Sequence, residues 1–276
     1  MTSSEANSTR LSMIKLIACD LDGTVFDDQK NIDSDLKEVT DRLKEKGIRF
    51  TVVSGRNHDL LKHVVEYFDL DTPYMTNNGA NIYLKDDCVH TDAIPEEAIN
   101  DAAKILYDHD VVFRIYADDG VYQNGNSDFF RVRIKSLTKP LLDYDPAADY
   151  RGRNAVKITV DFEDREDKAP AIAKQIKSFA GTDFFKVEDH VYCVNSITAN
   201  KGEALNRVCE LIGIDMAEAM AFGDSENDLP MLQRAGVGVA MANGEDIVKE
   251  KADYVAPDNN HNGVSSFLKE YFKDIL

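Results

Sequence analysis

Two aspartates one residue apart, Asp20 and Asp22, follow an apolar run from Ile14 to Cys19 that only Lys15 interrupts. Gly23 and Thr24 come directly after them. Carboxylates held this close repel one another unless a cation or a shared proton lies between them. The pair therefore asks for a hard cation such as magnesium, which takes oxygen ligands and keeps several waters. Gly23 permits a tight turn, and Thr24 supplies a hydroxyl. On its own, Asp-Gly-Thr is equally a plain turn at a strand end. The rest of the chain decides between the two, because it offers Ser54-Gly55-Arg56, Lys201-Gly202 and Gly223-Asp224-Ser225-Glu226-Asn227-Asp228. Taken singly, Ser54-Gly55 reads as a turn, Lys201 as a solvated lysine, and Asp224 and Asp228 as a helix cap and a first-turn acid. Taken together, these carboxylates, a hydroxyl and an ammonium can hold a divalent cation and phosphate oxygens. One carboxylate can attack phosphorus, and another can protonate a leaving group and then activate water. The cation and the ammonium offset charge on the group in transit.

Such a kit works only if each motif sits at the carboxyl end of a strand in one sheet, where open α/β sheets place their ligands. The apolar run before Asp20 reads as a strand covered on both faces. Leu36, Val39 and Leu43 keep helical spacing, with Asp33 as the expected cap and Gly47 as the stop. A second strand, Ile48 to Val53, ends at Ser54-Gly55-Arg56, and a helix carrying Leu60, Leu61, Val64, Val65 and Phe68 follows. A short third strand ends in Asn77-Asn78-Gly79-Ala80. This alternation predicts a doubly wound, Rossmann-like parallel sheet. From about Ile94 to Glu188 hairpin turns and mixed short elements replace it, which predicts an inserted α+β domain. The alternation resumes with a helix from Lys201 to Ile212 and a strand, Ala219 to Phe222, that stops at Gly223-Asp224. The expected organisation is a core over 13–93 and 189–276, an insertion over 94–188, and a polar leader over 1–12.

With 276 residues, 43% of them hydrophobic and 30% charged, the chain can bury the cores of two domains. Its formal net charge of −18 argues against nucleic acid and anionic membranes as partners. The same charge gives an anionic substrate no long-range attraction, so a bound cation and a few basic side chains must supply it locally. No apolar stretch nears the roughly 20 residues that cross a bilayer. The leader lacks the layout of a secretion signal, so a cytoplasmic location is expected. Cys19, Cys88, Cys193 and Cys209 are scattered and read as inert thiols. The six histidines show no metal-site spacing, and Arg56 reads as the partner of a surface carboxylate. Nothing in the sequence sets the oligomeric state.

In order and spacing, Asp20-Leu21-Asp22-Gly23-Thr24, Ser54-Gly55-Arg56, Lys201-Gly202 and Gly223 to Asp228 resemble the four motifs of the haloacid-dehalogenase superfamily. Asn77-Asn78-Gly79-Ala80 and Met241-Ala242-Asn243 further resemble its Cof-like sugar-phosphate phosphatases, which carry a type IIB cap where this chain has its insertion. The resemblance implies a magnesium-dependent phosphatase acting on a small phosphorylated metabolite through an aspartyl-phosphate. It implies Asp20 as nucleophile, Asp22 as general acid and base, and Lys201 as the clamp on phosphate and nucleophile. Thr24, Ser54, Gly55, Asn78 and Asn227 would serve the phosphate or substrate. Magnesium would be held by Asp20, the Asp22 carbonyl and Asp224, with Asp228 acting from behind them. A phosphomutase of the same superfamily and a phosphate- or metal-binding regulator without turnover are the alternatives. Asn200 departs from the small residue or serine usual before the third-motif lysine.

Overall fold

The computed structural model describes residues 14–276, and the expected leader lies outside them. Its strands in chain order are β1 (Leu16–Asp20), β2 (Arg49–Val53), β3 (Tyr74–Thr76), β4 (Asn81–Leu84) and β5 (Asp87–Thr91). Then come β6 (Val112–Tyr116), β7 (Val121–Gln123), β8 (Leu141–Asp143), β9 (Lys157–Asp161), β10 (Thr182–Glu188) and β11 (Val191–Ser196). The last are β12 (Ala219–Gly223), β13 (Val237–Met241) and β14 (Tyr254–Ala256).

Two compact units form. The first takes the chain up to Val89 and again from Asn200 to Leu276. Its sheet has the order β14-β13-β12-β1-β2-β3-β4-β5, parallel from β14 to β3 and turned antiparallel at β4. Strand β1 is buried along its whole length. Because side chains alternate along a strand, Ile17 and Cys19 enter one core and Leu16 and Ala18 the other. The first core is completed by helices Leu36–Glu45, His58–Phe68 and Gly263–Tyr271, through Val39, Leu61, Val64 and Leu268. The second is completed by helices Lys201–Ile212 and Leu229–Arg234, through Leu205, Val208 and Met231. This is the doubly wound α/β core expected. The strand order reverses at β1, between β12 and β2, so the crevice beyond their carboxyl ends lies at a topological switch point.

The second unit runs from His90 to Ala199. Its six-stranded sheet, β10-β11-β9-β6-β7-β8, is antiparallel except where β7 meets β8. Helices Glu96–Asp108 and Ala169–Ile176 cover one face, burying Ile99, Leu106 and Ile172 against Phe113, Ile115, Ile158 and Val160. The insertion is therefore α+β, with different limits from the expected 94–188. Strand β11 pairs with β10 and β9, which keeps the chain in this unit eleven residues beyond Glu188, to Ala199. Among the described residues no helix is long and apolar enough to cross a membrane.

Asp33 closes the turn into the first helix, as expected of a cap: its Oδ1 accepts from the Asp35 amide at 3.0 Å and its carbonyl from the Leu36 amide at 3.2 Å. The regular helix begins at Leu36, and the side chain of Asp35 adds no cap of its own. The same buried carboxylate of Asp33 also accepts from the Ser265 amide at 3.0 Å and its hydroxyl at 2.9 Å, tying the first helix's entry to the last helix.

Candidate active site

Asp20 ends β1, and its side chain is buried. Its Oδ1 accepts from Lys201 Nζ at 2.7 Å, and the same ammonium lies 2.6 Å from Asp228 Oδ1. Lys201 opens its helix, where the dipole disfavours a positive charge. The two carboxylates outweigh both that and burial, and they raise its hold on the proton. Asn200 explains the departure noted in the sequence: it is the N-cap, its Oδ1 accepting from the amides of Gly202 and Glu203 at 3.1 and 3.0 Å. Asn200 thus sets where the helix starts and with it the root of Lys201.

The turn after β12 supplies the other acids. Asp228 Oδ1 is taken by Lys201, while Oδ2 accepts from the amides of Asp224 and Ser225 at 3.0 and 3.1 Å. Both oxygens of Asp228 are thereby occupied. Asp224 accepts from the Thr24 hydroxyl at 3.2 Å. Gly23 has a φ of +80°, and a Cβ there would collide with the Asp224 carboxylate. Asn243 donates to the Gly23 carbonyl at 2.8 Å and holds the turn from outside.

Oxygens of Asp20, Asp224 and Asp228 lie within 4.8 Å of one another. Three carboxylates against one ammonium leave two negative charges uncompensated. Burial, together with Asp228 and Asp224, pushes the Asp20 carboxyl up to about 8 despite Lys201. Burial and Asp228 push Asp224 up to about 6. An all-oxygen donor set short of two positive charges fits a hard divalent cation.

The remaining expected residues divide into two groups. Ser54 is buried at the end of β2, its Oγ accepting from the Arg56 amide at 3.1 Å. The Asn78 amide donates to the Ser54 carbonyl at 2.9 Å, and a Cβ on Gly55 would meet Asn78 Oδ1 at 2.9 Å. Asn227 Nδ2 donates to that same Oδ1 at 3.3 Å. Ser54, Gly55, Asn78 and Asn227 therefore form one polar cluster. Asp22 stands apart from the other three carboxylates, with its side chain 44% exposed. Arg56 grips it bidentately, Nε at 2.8 Å and Nη2 at 2.6 Å, and Lys30 Nζ reaches it at 2.9 Å. Although burial works the other way, these hydrogen bonds hold Asp22 below the usual carboxylate range. Arg56 also lies 4.8 Å over the Phe26 ring.

Arg56 and Lys30 are the residues that sequence reasoning missed. Arg56 does pair with a carboxylate, but with that of Asp22. Lys30 sits at φ +66° in a turn that Asp27 closes by accepting from the amides of Gln29 and Asn31, and its spacing from Asp22 carries no signal.

An α/β core with an acidic crevice at its switch point and a buried lysine across it defines a class. A family model for haloacid dehalogenase-like hydrolases matches residues 17–268, and the chain belongs to that family. It is an enzyme, a phosphatase of the Cof-like type. A Bacillus subtilis 5-amino-6-(5-phospho-D-ribitylamino)uracil phosphatase is 29% identical over 93% of this chain and 97% of its own. An Escherichia coli pyridoxal phosphate phosphatase is 28% identical over 92% and 97%. A crystal structure from Thermotoga maritima, 26% identical, superposes with a TM-score of 0.79 over 94% of this chain and 97% of that one.

Proposed function

We propose that the chain hydrolyses a small phosphorylated metabolite, in the sugar-phosphate range, by a magnesium-dependent route through an aspartyl-phosphate in the cytoplasm. The observation that carries the reading is the sharing of Lys201 between Asp20 and Asp228, with Asp224 completing the acidic cluster. The relatives named for phosphoribitylamino-uracil and pyridoxal phosphate support a small substrate. All four cysteines are free, which suits a reducing compartment.

In this reading a carboxylate oxygen of Asp20 attacks phosphorus, and the bond from phosphorus to the leaving oxygen breaks. Asp22 gives that oxygen a proton. Water then attacks the phosphorus of the acyl phosphate, Asp22 takes its proton, and the bond to Asp20 breaks to release inorganic phosphate. Lys201 holds Asp20 in line and sets positive charge against the equatorial oxygens. Ser54, Asn78 and Asn227 offer donors to the phosphate, and Thr24 orients Asp224. Asp20, Asp224 and the Asp22 carbonyl would hold magnesium, with Asp228 fixing Lys201 and the Asp224 turn; when bound, the ion supplies charge neutralisation and orientation. The inserted unit would act as the cap that selects substrates.

The test is phosphate release from a panel of phosphorylated metabolites, with magnesium and with a chelator. Magnesium-dependent release, with 18O from labelled water found in the inorganic phosphate and a hydroxylamine-sensitive phosphoryl group trapped on Asp20, is the expected result. Formation of a phosphate isomer without inorganic phosphate would make the chain a mutase, and no turnover at all would refute the reading.

A further inference from the structure

Two cations hold Asp22, and they come from different places. Arg56 takes both carboxylate oxygens, Nε on Oδ2 and Nη2 on Oδ1. Lys30 Nζ adds a contact to Oδ1 at 2.9 Å, from a loop closed by an antiparallel bridge between Phe26 and Ile32. Asp27 knots that loop: its Oδ1 accepts from the amides of Gln29 and Asn31, both at 2.8 Å, and its carbonyl from the Lys30 amide at 3.0 Å. Lys30 takes a left-handed backbone, φ +66°, that glycine or asparagine adopts more easily. A long basic side chain is thus kept where backbone preference argues against it. The ion pair with Asp22 is exposed, at 58% and 44% for the two side chains, and such a pair adds little to stability. What Lys30 contributes is the place where the Asp22 carboxylate stands.

The loop is clasped from far along the chain. Asn260, 232 positions beyond Asp28, accepts from the Asp28 amide at 3.1 Å and donates to Asp28 Oδ2 at 3.1 Å. The buried Asn259 donates to Asp28 Oδ1 at 3.2 Å and to the Phe26 carbonyl at 3.0 Å. Its own amide donates to Asn243 Oδ1 at 3.0 Å, and Asn243 holds the Gly23 carbonyl, directly after Asp22. Asp258 Oδ1 accepts from the Asn260 amide at 3.0 Å and so shapes the clasping turn itself. These bonds end on the loop and on Gly23. Side-chain amides that grip backbone and carboxylate together fix both the position and the rotation of the loop. Anchored at Asp28, two residues before Lys30, they set the direction from which the ammonium approaches Asp22.

We propose that the clasp of Asn259 and Asn260 on Asp28 positions Lys30, and that Lys30 orients Asp22 for proton transfer to the leaving oxygen. The inference rests on the phosphatase reading with Asp22 as general acid and base, and it deepens that reading with positioning residues outside the four motifs. Lys30 and Asp28 act through Asp22, and neither meets the phosphate.

Phenyl phosphate and p-nitrophenyl phosphate test this in the full chain, because they share a shape and differ in how much the leaving oxygen needs a proton. With magnesium saturating, Lys30→Met should lower kcat/KM about tenfold for phenyl phosphate and by less than about threefold for p-nitrophenyl phosphate. Lys30→Arg should restore most of the loss. Lys30→Gly suits the left-handed backbone, so it should keep or raise the melting temperature and still show the selective loss, which a structural role would not give. Asp28→Ala, at an exposed position, should reproduce the selective loss, and adding it to Lys30→Met should take away little more. Equal losses on the two esters, or none, overturn the role of Lys30. A wild-type ratio in Asp28→Ala, or losses that multiply in the double variant, overturn the role of the clasp. A wild-type chain that hydrolyses neither ester instead brings down the phosphatase reading itself.

Discussion

At the scale of single residues, the site is a problem of charge. Asp20 is buried beside two further acids, and among the described residues Lys201 alone forms ion pairs with this cluster. Asp20→Asn keeps the shape and a hydrogen-bond acceptor for Lys201 but removes the nucleophile. Turnover should fall by about a thousandfold or more with the circular dichroism spectrum unchanged; retained magnesium-dependent hydrolysis would remove Asp20 from its assigned role. Asp22 presents the opposite case, a carboxylate gripped by Arg56 and Lys30 and so kept ionised. That form suits the activation of water, whereas protonating a leaving group requires Asp22 to carry a proton despite both cations. Arg56→Ala should therefore leave Asp22 poorly placed. We expect kcat for an alkyl phosphate to fall by about ten- to a hundredfold, and by clearly less for p-nitrophenyl phosphate, whose leaving group needs little help from an acid. Equal losses on both substrates would assign Arg56 to binding instead.

At the scale of elements, helix starts and strand ends carry the geometry. Asn200→Ala removes the cap of the Lys201 helix and should cost about 1 kcal/mol of stability, read as a lower urea midpoint at unchanged slope. Asp33→Ala strips the amides of Ser265 and Asp35 of their side-chain acceptor. It should cost about 1–3 kcal/mol, although Asp33 has no part in the chemistry. These elements also show what was legible in the sequence. The apolar run of β1 and the polar residues closing β1, β2 and β12 announce themselves, because a strand buried on both faces admits polar groups only at its tip. The convergence of Asp20, Lys201 and Asp224 follows from that pattern once one sheet is assumed. The pairing of Arg56 with Asp22 does not, since it depends on how two loops fold back over 34 residues. The second role of Asp33 was hidden for a similar reason: an aspartate before a helix has the chemistry of a cap, and nothing local shows that the distant Ser265 donates to it as well. The limit of the second unit was missed because the hairpin of β10 and β11 looks the same in sequence whichever sheet receives it.

At the scale of the whole molecule, the excess of acid makes stability depend on pH and on cations. The carboxyls of Asp20 and Asp224 bind protons more tightly in the folded chain than in the unfolded one, at about 8 and about 6. Between the unfolded carboxylate range and about pH 8 the folded state therefore holds more protons, and these two groups lower stability as the pH rises. A divalent cation bound there competes with those protons. Magnesium should raise the melting temperature of the chain more at pH 8.5 than at pH 5.5, and a scanning calorimeter in matched buffers would measure the difference. An equal increment at both values would place the cation elsewhere.

Asp228 touches the lysine with one oxygen and the backbone of the Asp224 turn with the other. A single side chain thus serves as a keystone joining two segments far apart in sequence, and neither can be transplanted alone. An engineer grafting the Lys201 helix into a different sheet would have to bring residues 223–228 with it, or the borrowed ammonium would arrive without its anchor.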